Sequence, residues 1–138
     1  MEKYLLDTNA WIDYFKDHKC VADHIDSLPR QQLCASEITV AELIYGAYNS
    51  KNFSKHYQEV QWLQNNIEIY PISDVLNEYG ELRFEAKSKG SPIGSFDLLI
   101  GATAKHYGFI VVTHNIKDFV KMTGVKIEDW SEPSQHQE

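Results

Sequence analysis

The sequence predicts an α/β fold, a three-layer α/β/α sandwich with a mainly parallel central sheet of about five strands. Short apolar runs alternate with amphipathic segments of helical length along the 138 residues. The inner runs, such as "YLL" and "FIVV", are apolar throughout, as expected for parallel strands covered on both faces. The chain has no repeats and no low-complexity linker, so we predict one domain over 1–130 and a polar, disordered tail over 131–138.

The first half of the chain predicts two strands and four helices. The apolar runs of "KYLLDTN" and "QLCASEI" end in turn-forming polar residues, as strands do. Apolar residues recur at helical spacing in the remaining segments, and Thr39 is a plausible N-cap of the third. These helical segments are "AWIDYFKDH", "VADHIDSL", "TVAELIYGAYN" and "SKHYQEVQWLQNN".

The second half predicts three further strands, "IEIYPI", "FIVVTHN" and "VKIEDW", each separated from the next by helical sequence. A long helix is predicted in "SDVLNEYGELRFEAKSKG", with Ser73 as its N-cap and Gly90 as its stop. The segment "SFDLLIGATA" predicts a nearly fully buried helix, and "IKDFVKMTG" a shorter one. Strands alternating with helices in this way indicate a parallel sheet covered on both faces.

Composition limits the possible functions. No apolar run reaches the ~18 residues of a membrane span, and no basic-then-apolar leader precedes "YLLDTN", so we expect a cytoplasmic protein without a membrane segment. Cys20 and Cys34 lack the spacing of a zinc or redox motif, and we expect both to be reduced. The net charge of −7 argues against indiscriminate nucleic-acid binding, but it permits a nucleic-acid enzyme whose acids surround cations.

Four acids are predicted at one edge of the sheet, beyond the carboxyl ends of its strands, where open α/β sheets bind ligands. Asp7 lies where the first strand ends, and Glu42 lies in the first turn or so of the helix that follows the second strand. Asp97 opens the helix before the fourth strand, and Asp118 follows that strand by about one helical turn. Carboxylate oxygens suit Mg²⁺, with Mn²⁺ as a possible substitute.

Each acid alone also has a structural interpretation. Asp97 would favour a helix N-terminus after a serine cap. Glu42 and Thr39 match the T-x-x-E pattern of a capping box, whereas Asp7 suits a turn and Asp118 a solvated first helical turn. Their joint placement, and the apolar surroundings of Asp7 and Asp97, favour a functional site, because a buried acid costs free energy unless a cation meets it.

Four motifs in order, "LLDTN", "TVAELIYGA", "GSPIGSFDLLIGATA" and "VVTHNIKDF", resemble the PIN-domain ribonucleases, specifically the VapC-type toxins of bacterial toxin–antitoxin pairs. The resemblance extends over nearly the whole chain, to "IEDW". It implies a Mg²⁺-dependent endoribonuclease whose catalytic and metal-binding acids are Asp7, Glu42, Asp97 and Asp118. It assigns supporting polar roles to Thr8, Thr113 and Asn115.

Two positions depart from the pattern of the family. Gly101 stands where relatives often carry alanine, which affects helix packing. Asn115 stands where many relatives carry aspartate, so either Asn115 or Asp118 completes the acid set. We favour Asp118, since asparagine brings no charge.

The resemblance also implies a mechanism and partners. The reaction would be phosphodiester hydrolysis without a covalent intermediate, with one or two metal ions activating water and stabilising the leaving oxygen. The substrate would be a structured RNA, a tRNA anticodon stem-loop, with initiator tRNA the leading candidate. The protein partners would be a second copy in a homodimer and a VapB-type antitoxin, whose C-terminal segment would lie in an apolar groove and extend an arginine toward the acids.

Three basic residues near the "SPIGS" loop are the candidates for RNA contact, although such residues commonly form only a solvated helix face. This basic strip consists of Arg83, Lys87 and Lys89. His114 is close to the predicted site in sequence, but a lone histidine there is more often packed or solvated. Most of the helical aromatics are expected in the core, with a minority available to a partner; they are Trp11, Tyr14, Phe15, Tyr45, Tyr48 and Trp62.

Other function classes fit less well. A haloacid-dehalogenase phosphatase needs a second aspartate where Asn9 stands, and a phospho-receiver domain needs a lysine after "VVTHN". The serines lack a His/Asp arrangement, and the cysteines lack an electropositive motif. The remaining alternative is a non-catalytic PIN-like module that binds protein or RNA, which would not require divalent-ion binding.

Overall fold

The computed structural model describes residues 1–133 and has the predicted three-layer α/β/α architecture. Within those residues the sheet has five strands, all parallel, in the order β3-β2-β1-β4-β5. The strands are β1 (Tyr4–Leu6), β2 (Leu33–Ser36), β3 (Glu68–Tyr70), β4 (Ile110–Val112) and β5 (Lys126–Glu128). The predicted fold class is confirmed. Residues 134–138 of the predicted tail lie outside the described residues.

Helices connect the strands and cover both faces of the sheet. They are α1 (Thr8–Phe15), α2 (Lys19–Asp26), α3 (Glu37–Tyr48), α4 (Phe53–Asn66), α5 (Leu76–Ser88), α6 (Ser95–Tyr107) and α7 (Ile116–Phe119). Short 3₁₀ turns span Arg30–Gln32 and Ile72–Val75. Between residues 1 and 133, no helix combines the length and the apolar character needed to cross a bilayer.

The alternation of side chains along the central strands divides the core into two layers. Leu6 and Val112 point into one layer, which contains the buried Trp11. Their neighbours Leu5 and Val111 point into the other layer, between the sheet and helices α5 and α6. Successive strand residues face opposite sides of a sheet, so a strand buried on both faces must be apolar at every position. This is why the runs "YLL" and "IVV" are continuous.

Some helix boundaries differ from the predicted ones because other residues cap the helices. Helix α1 begins at Thr8, since Asp7 caps it. Helix α3 begins at Glu37 with Ser36 as its N-cap, and Thr39 lies buried inside the helix, so the predicted Thr39 cap is wrong. Ser73 does not cap α5 either, because a 3₁₀ turn precedes that helix. The predicted stop at Gly90 is confirmed by its left-handed φ of 65° directly after the C-cap.

Candidate active site

Asp7 lies at the carboxyl end of β1 and connects the strand to helix α1. Its backbone N–H donates to the Val112 carbonyl at 3.0 Å, which continues the β1–β4 ladder by one residue. Its Oδ1 accepts from the Ala10 N–H at 2.9 Å, and its Oδ2 accepts from the Thr113 hydroxyl at 2.6 Å. The side chain is therefore fixed in position, and Asp7 is only 3% exposed.

Burial raises the pKa of Asp7 from 3.8 to about 6. The hydrogen bonds from Thr113 and Ala10 lower the pKa and offset part of that effect, while the negative charges of Asp97 and Asp13 raise it. No lysine, arginine or histidine within residues 1–133 forms an ion pair with Asp7. A buried carboxylate with neutral partners and negative neighbours is an electrostatic cost that a bound cation would remove.

Glu42 joins the same edge through Thr8, the residue that follows Asp7. The Thr8 hydroxyl donates to Glu42 Oε1 at 2.6 Å and lies 3.2 Å from the Thr39 hydroxyl. Thr39 and Glu42 are three residues apart on α3 and so share a helix face. The T-x-x-E pattern is thus a tertiary contact with Thr8 rather than a capping box.

Asp97 and Asp118 meet across the side chain of Asn115. The Asn115 amide donates to Asp97 Oδ2 at 3.0 Å and to Asp118 Oδ2 at 2.9 Å. The Asn115 backbone N–H donates to the Thr113 hydroxyl oxygen at 2.8 Å. Since that hydroxyl also donates to Asp7, a continuous hydrogen-bond network links three of the four acids.

Asn115 and Asp118 therefore lie together at the site and make different contacts. Asp118 is in the first turn of α7, as predicted, and Asn115 is the residue before that helix. Asp97 is in the first turn of α6, but the helix begins at Ser95 after Gly94, so the predicted serine cap is wrong. Burial raises the pKa of Asp97, as does the nearby charge of Asp118, while the Asn115 hydrogen bond lowers it.

The donor set suits a hard divalent cation, although the carboxylates do not enclose one by themselves. Among residues 1–133, no three His, Cys, Asp or Glu side chains are close enough together to hold a metal ion. Mg²⁺ commonly keeps several waters and takes only one or two protein carboxylates, so a complete protein cage is not required. Asp7 and Asp97 supply oxygen donors that lack a cationic partner in the described chain.

The basic strip is only partly directed toward the site. Arg83 and Lys87 line a groove of about 420 Å³ that reaches Leu98 in the first turn of α6. Lys89 instead forms an ion pair with Glu85, with a distance of 3.7 Å between Nζ and Oε1. Arg83 donates to the Tyr79 hydroxyl at 2.9 Å.

A histidine and an apolar pocket lie near the acids. His114 turns outward and contacts Ser131 at 3.1 Å, which confirms the solvated interpretation. An apolar pocket of about 210 Å³ lies between α1, α3 and α4, with Glu42 in its lining. The family resemblance implies an apolar groove but not its location, and no spacing motif singles out this pocket or Asp13, whose charge acts on Asp7.

The chain is similar to known proteins over nearly its whole length. Residues 4–125 match the PIN domain family. "Ribonuclease VapC1" of Haemophilus influenzae (strain R2866) is 34% identical over 131 residues, covering 93% of this chain and 98% of that protein. "tRNA(fMet)-specific endonuclease VapC" of Salmonella typhimurium is 34% identical over 135 residues, covering 94% and 99%. A crystal structure of DNA-bound VapBC from Salmonella typhimurium has a TM-score of 0.86 and 32% identity, covering 94% of this chain and 99% of that one.

Proposed function

This chain belongs to the PIN-domain family, among the VapC ribonucleases, and we propose that it is a divalent-metal-dependent endoribonuclease that acts as the toxin of a toxin–antitoxin pair. The observation that carries the proposal is the convergence of Asp7, Asp97 and Asp118, linked by Thr113 and Asn115, with no basic partner in residues 1–133.

In the proposed mechanism Asp7 and Asp97 would hold the cation, and Glu42 and Asp118 would be further ligands through bound water. Mg²⁺, or Mn²⁺ in its place, supplies positive charge that acidifies water and stabilises phosphate oxygens. Thr113 holds the Asp7 carboxylate in one orientation, and the Asn115 amide keeps Asp97 and Asp118 close despite their like charges. Thr8 positions Glu42 in the same way. Such preorganisation means that little reorganisation is needed when the phosphodiester arrives.

The proposed substrate is a structured RNA, a tRNA anticodon stem-loop, with initiator tRNA first among the candidates. Support comes from the Salmonella typhimurium and Shigella flexneri relatives, 34% and 31% identical, which are named tRNA(fMet)-specific endonucleases. A protein of net charge −7 holds nucleic acid weakly by charge alone, so recognition by shape and by unstacked loop bases is favoured. Arg83 and Lys87 would contact the stem phosphates, with Lys89 contributing less because Glu85 neutralises it.

The proposed protein partners are a second copy of the chain and a VapB-type antitoxin, in the cytoplasm. Several solved structures similar to this chain are VapBC complexes, which supports the antitoxin. The apolar pocket between α1, α3 and α4 suits the C-terminal segment of such an antitoxin, and an arginine on that segment could reach the acids past Glu42.

The experiment is incubation of the purified protein with total RNA in Mg²⁺ or in EDTA, followed by mapping of the cleavage ends. We expect cleavage at one or a few loop positions in Mg²⁺ and none in EDTA. Ladder-like digestion of unstructured RNA would contradict the proposed substrate. The absence of both cleavage and divalent-ion binding would favour a non-catalytic module.

A further inference from the structure

A group of four aromatic side chains, three of them exposed and one half-buried, lies where α3 is followed by α4. This aromatic patch consists of Tyr45, Tyr48, Phe53 and Tyr57. Tyr45 is 69% exposed and Tyr48 is 71% exposed, whereas helical aromatics are usually packed inside. Three of the rings form a series, with centroids 4.8 Å apart between Tyr48 and Phe53 and 5.1 Å apart between Phe53 and Tyr57, the second pair stacked.

The charges around the patch are complementary to a polyanion. Between Glu42 and Glu59 the chain contains Lys51 and Lys55 and no acidic residue, although the whole protein carries a net charge of −7. Both lysines are exposed, and within the part of the chain that the structure describes neither forms an ion pair. Aromatic rings interleaved with basic residues are the combination that binds single-stranded nucleic acid, because bases stack on the rings and lysines follow the phosphates.

Helix α3 connects the patch to the acids. Tyr45 follows Glu42 by three residues, so the two are neighbours on the helix surface. Six residues separate Glu42 from Tyr48, about 9 Å along the helix, a span covered by about three stacked nucleotides. Neither tyrosine lines the apolar pocket, which Leu43 and Ala47 of α3 border. The rings of the patch therefore lie outside that pocket, although Lys55 borders both.

We infer that the aromatic patch is a stacking platform for a single-stranded segment of the RNA substrate, adjacent to the phosphodiester that enters the acidic site. The inference rests on the proposed ribonuclease function. Bases unstacked from the RNA loop lie on Tyr45 and Tyr48, and Lys51 and Lys55 contact the phosphates between them. The platform thereby sets which loop length and which position of the loop reach the acids.

The test measures binding separately from cleavage. A labelled single-stranded oligoadenylate of about twelve nucleotides is titrated in EDTA and followed by fluorescence anisotropy. The variants are the double substitutions Tyr45→Ala/Tyr48→Ala and Tyr45→Phe/Tyr48→Phe, together with Lys51→Gln/Lys55→Gln. Lys126→Gln is the matched control, because Lys126 is an exposed lysine at the amino end of β5, the opposite edge of the sheet.

We expect the alanine pair to weaken binding by about tenfold or more, and the phenylalanine pair, which keeps the rings, to stay within about twofold of wild type. In a log–log plot of the binding constant against salt concentration, Lys51→Gln/Lys55→Gln should lower the slope by up to about 1.4. Lys126→Gln should leave that slope unchanged. Unchanged affinity in the alanine pair would overturn the inference. An alanine pair that binds the oligoadenylate normally but binds the antitoxin more weakly would also overturn it, because the patch would then be assigned to a protein partner.

Cleavage of total RNA by the wild type in Mg²⁺ is measured in parallel. If the wild type does not cleave, the proposed function fails whatever the patch binds. If it cleaves and the alanine pair cleaves the same sites with unchanged KM, only the platform fails.

Discussion

Replacing Asp7 by asparagine should stabilise the metal-free protein at neutral pH. The pKa of Asp7 is raised from 3.8 to about 6, which at about 1.4 kcal/mol per pH unit corresponds to about 3 kcal/mol of electrostatic cost when the group is ionised. Asparagine carries no charge and remains a good N-cap for α1, so it keeps the contact with the Ala10 N–H. It weakens the contact with Thr113, which costs about 1 kcal/mol. The expected net gain at pH 7 is about 2 kcal/mol.

The sign of the pH dependence follows from the direction of the pKa shift. Between about pH 4 and pH 6 the folded protein binds the Asp7 proton more tightly than the unfolded chain does. The contribution of Asp7 to the free energy of unfolding therefore falls as the pH rises through that window. Other groups titrate in the same range, so the informative quantity is the difference between wild type and Asp7→Asn. That difference should favour the variant at pH 7 and disappear, or reverse slightly, near pH 4.

The assay is urea denaturation in EDTA at pH 7 and pH 4, repeated at pH 7 with Mg²⁺. Metal at about one hundred times the wild-type Kd should stabilise the wild type by about 2.7 kcal/mol, and the variant, which binds at least about tenfold more weakly, by at most about 1.4 kcal/mol. An Asp7→Asn protein that is less stable than wild type by the same amount at both pH values would refute the reasoning. Asp7 would then be an ordinary helix cap.

Three further variants test the rest of the site. Asp97→Asn should leave the metal-free protein at least as stable, since it removes repulsion from Asp118, and should abolish cleavage; reduced stability with retained cleavage would restore the helix-cap interpretation. Thr113→Val should destabilise the metal-free protein by about 1–3 kcal/mol at pH 7, because it removes a hydrogen-bond donor from the ionised, buried carboxylate of Asp7. The loss should be smaller at pH 5, where Asp7 is protonated. Equal destabilisation at both pH values in urea denaturation would argue against this. Neutralising the whole basic strip should make tRNA binding less dependent on salt. The slope of log binding constant against log salt concentration should change by up to about 1 for each phosphate that the variant no longer binds. An unchanged slope would exclude the strip from RNA binding.

The sheet and the location of the site could be predicted because each depends on short-range patterns. The continuous apolar runs at Leu5–Leu6 and Val111–Val112 require burial on both faces, and this requirement fixes the parallel three-layer class. Acids that follow such strands must then lie at the carboxyl edge. Asp7 and Asp118 were located by this argument, and both are found at that edge.

The capping residues could not be predicted because a cap depends on where the preceding strand stops pairing. Ser36 pairs with Tyr70 as the last residue of the β2–β3 ladder, so the chain turns there and Ser36 caps α3. The sequence contains Thr39 three residues later in an equally good capping pattern. Only the length of the ladder decides between them.

Contacts between side chains on different helices and strands could not be predicted from the sequence either. That one asparagine amide joins Asp97 and Asp118 depends on the angle at which α7 leaves β4. The exposure of Tyr45 and Tyr48 depends on where α4 packs against α3, which apolar periodicity alone does not determine. The ion pair between Glu85 and Lys89 is different, because the two residues are four apart at the end of α5 and their spacing in the sequence already favours the contact.

The most direct test of the central claim, that these acids form a divalent-cation site, is a titration of metal-free protein with Mn²⁺ followed by the EPR signal of free Mn²⁺. We expect the wild type to bind Mn²⁺ saturably, and Asp7→Asn and Asp97→Asn to bind it at least about tenfold more weakly. Lys126→Gln should bind Mn²⁺ with the affinity of the wild type. Equal binding by all four proteins, or none by the wild type, would contradict it.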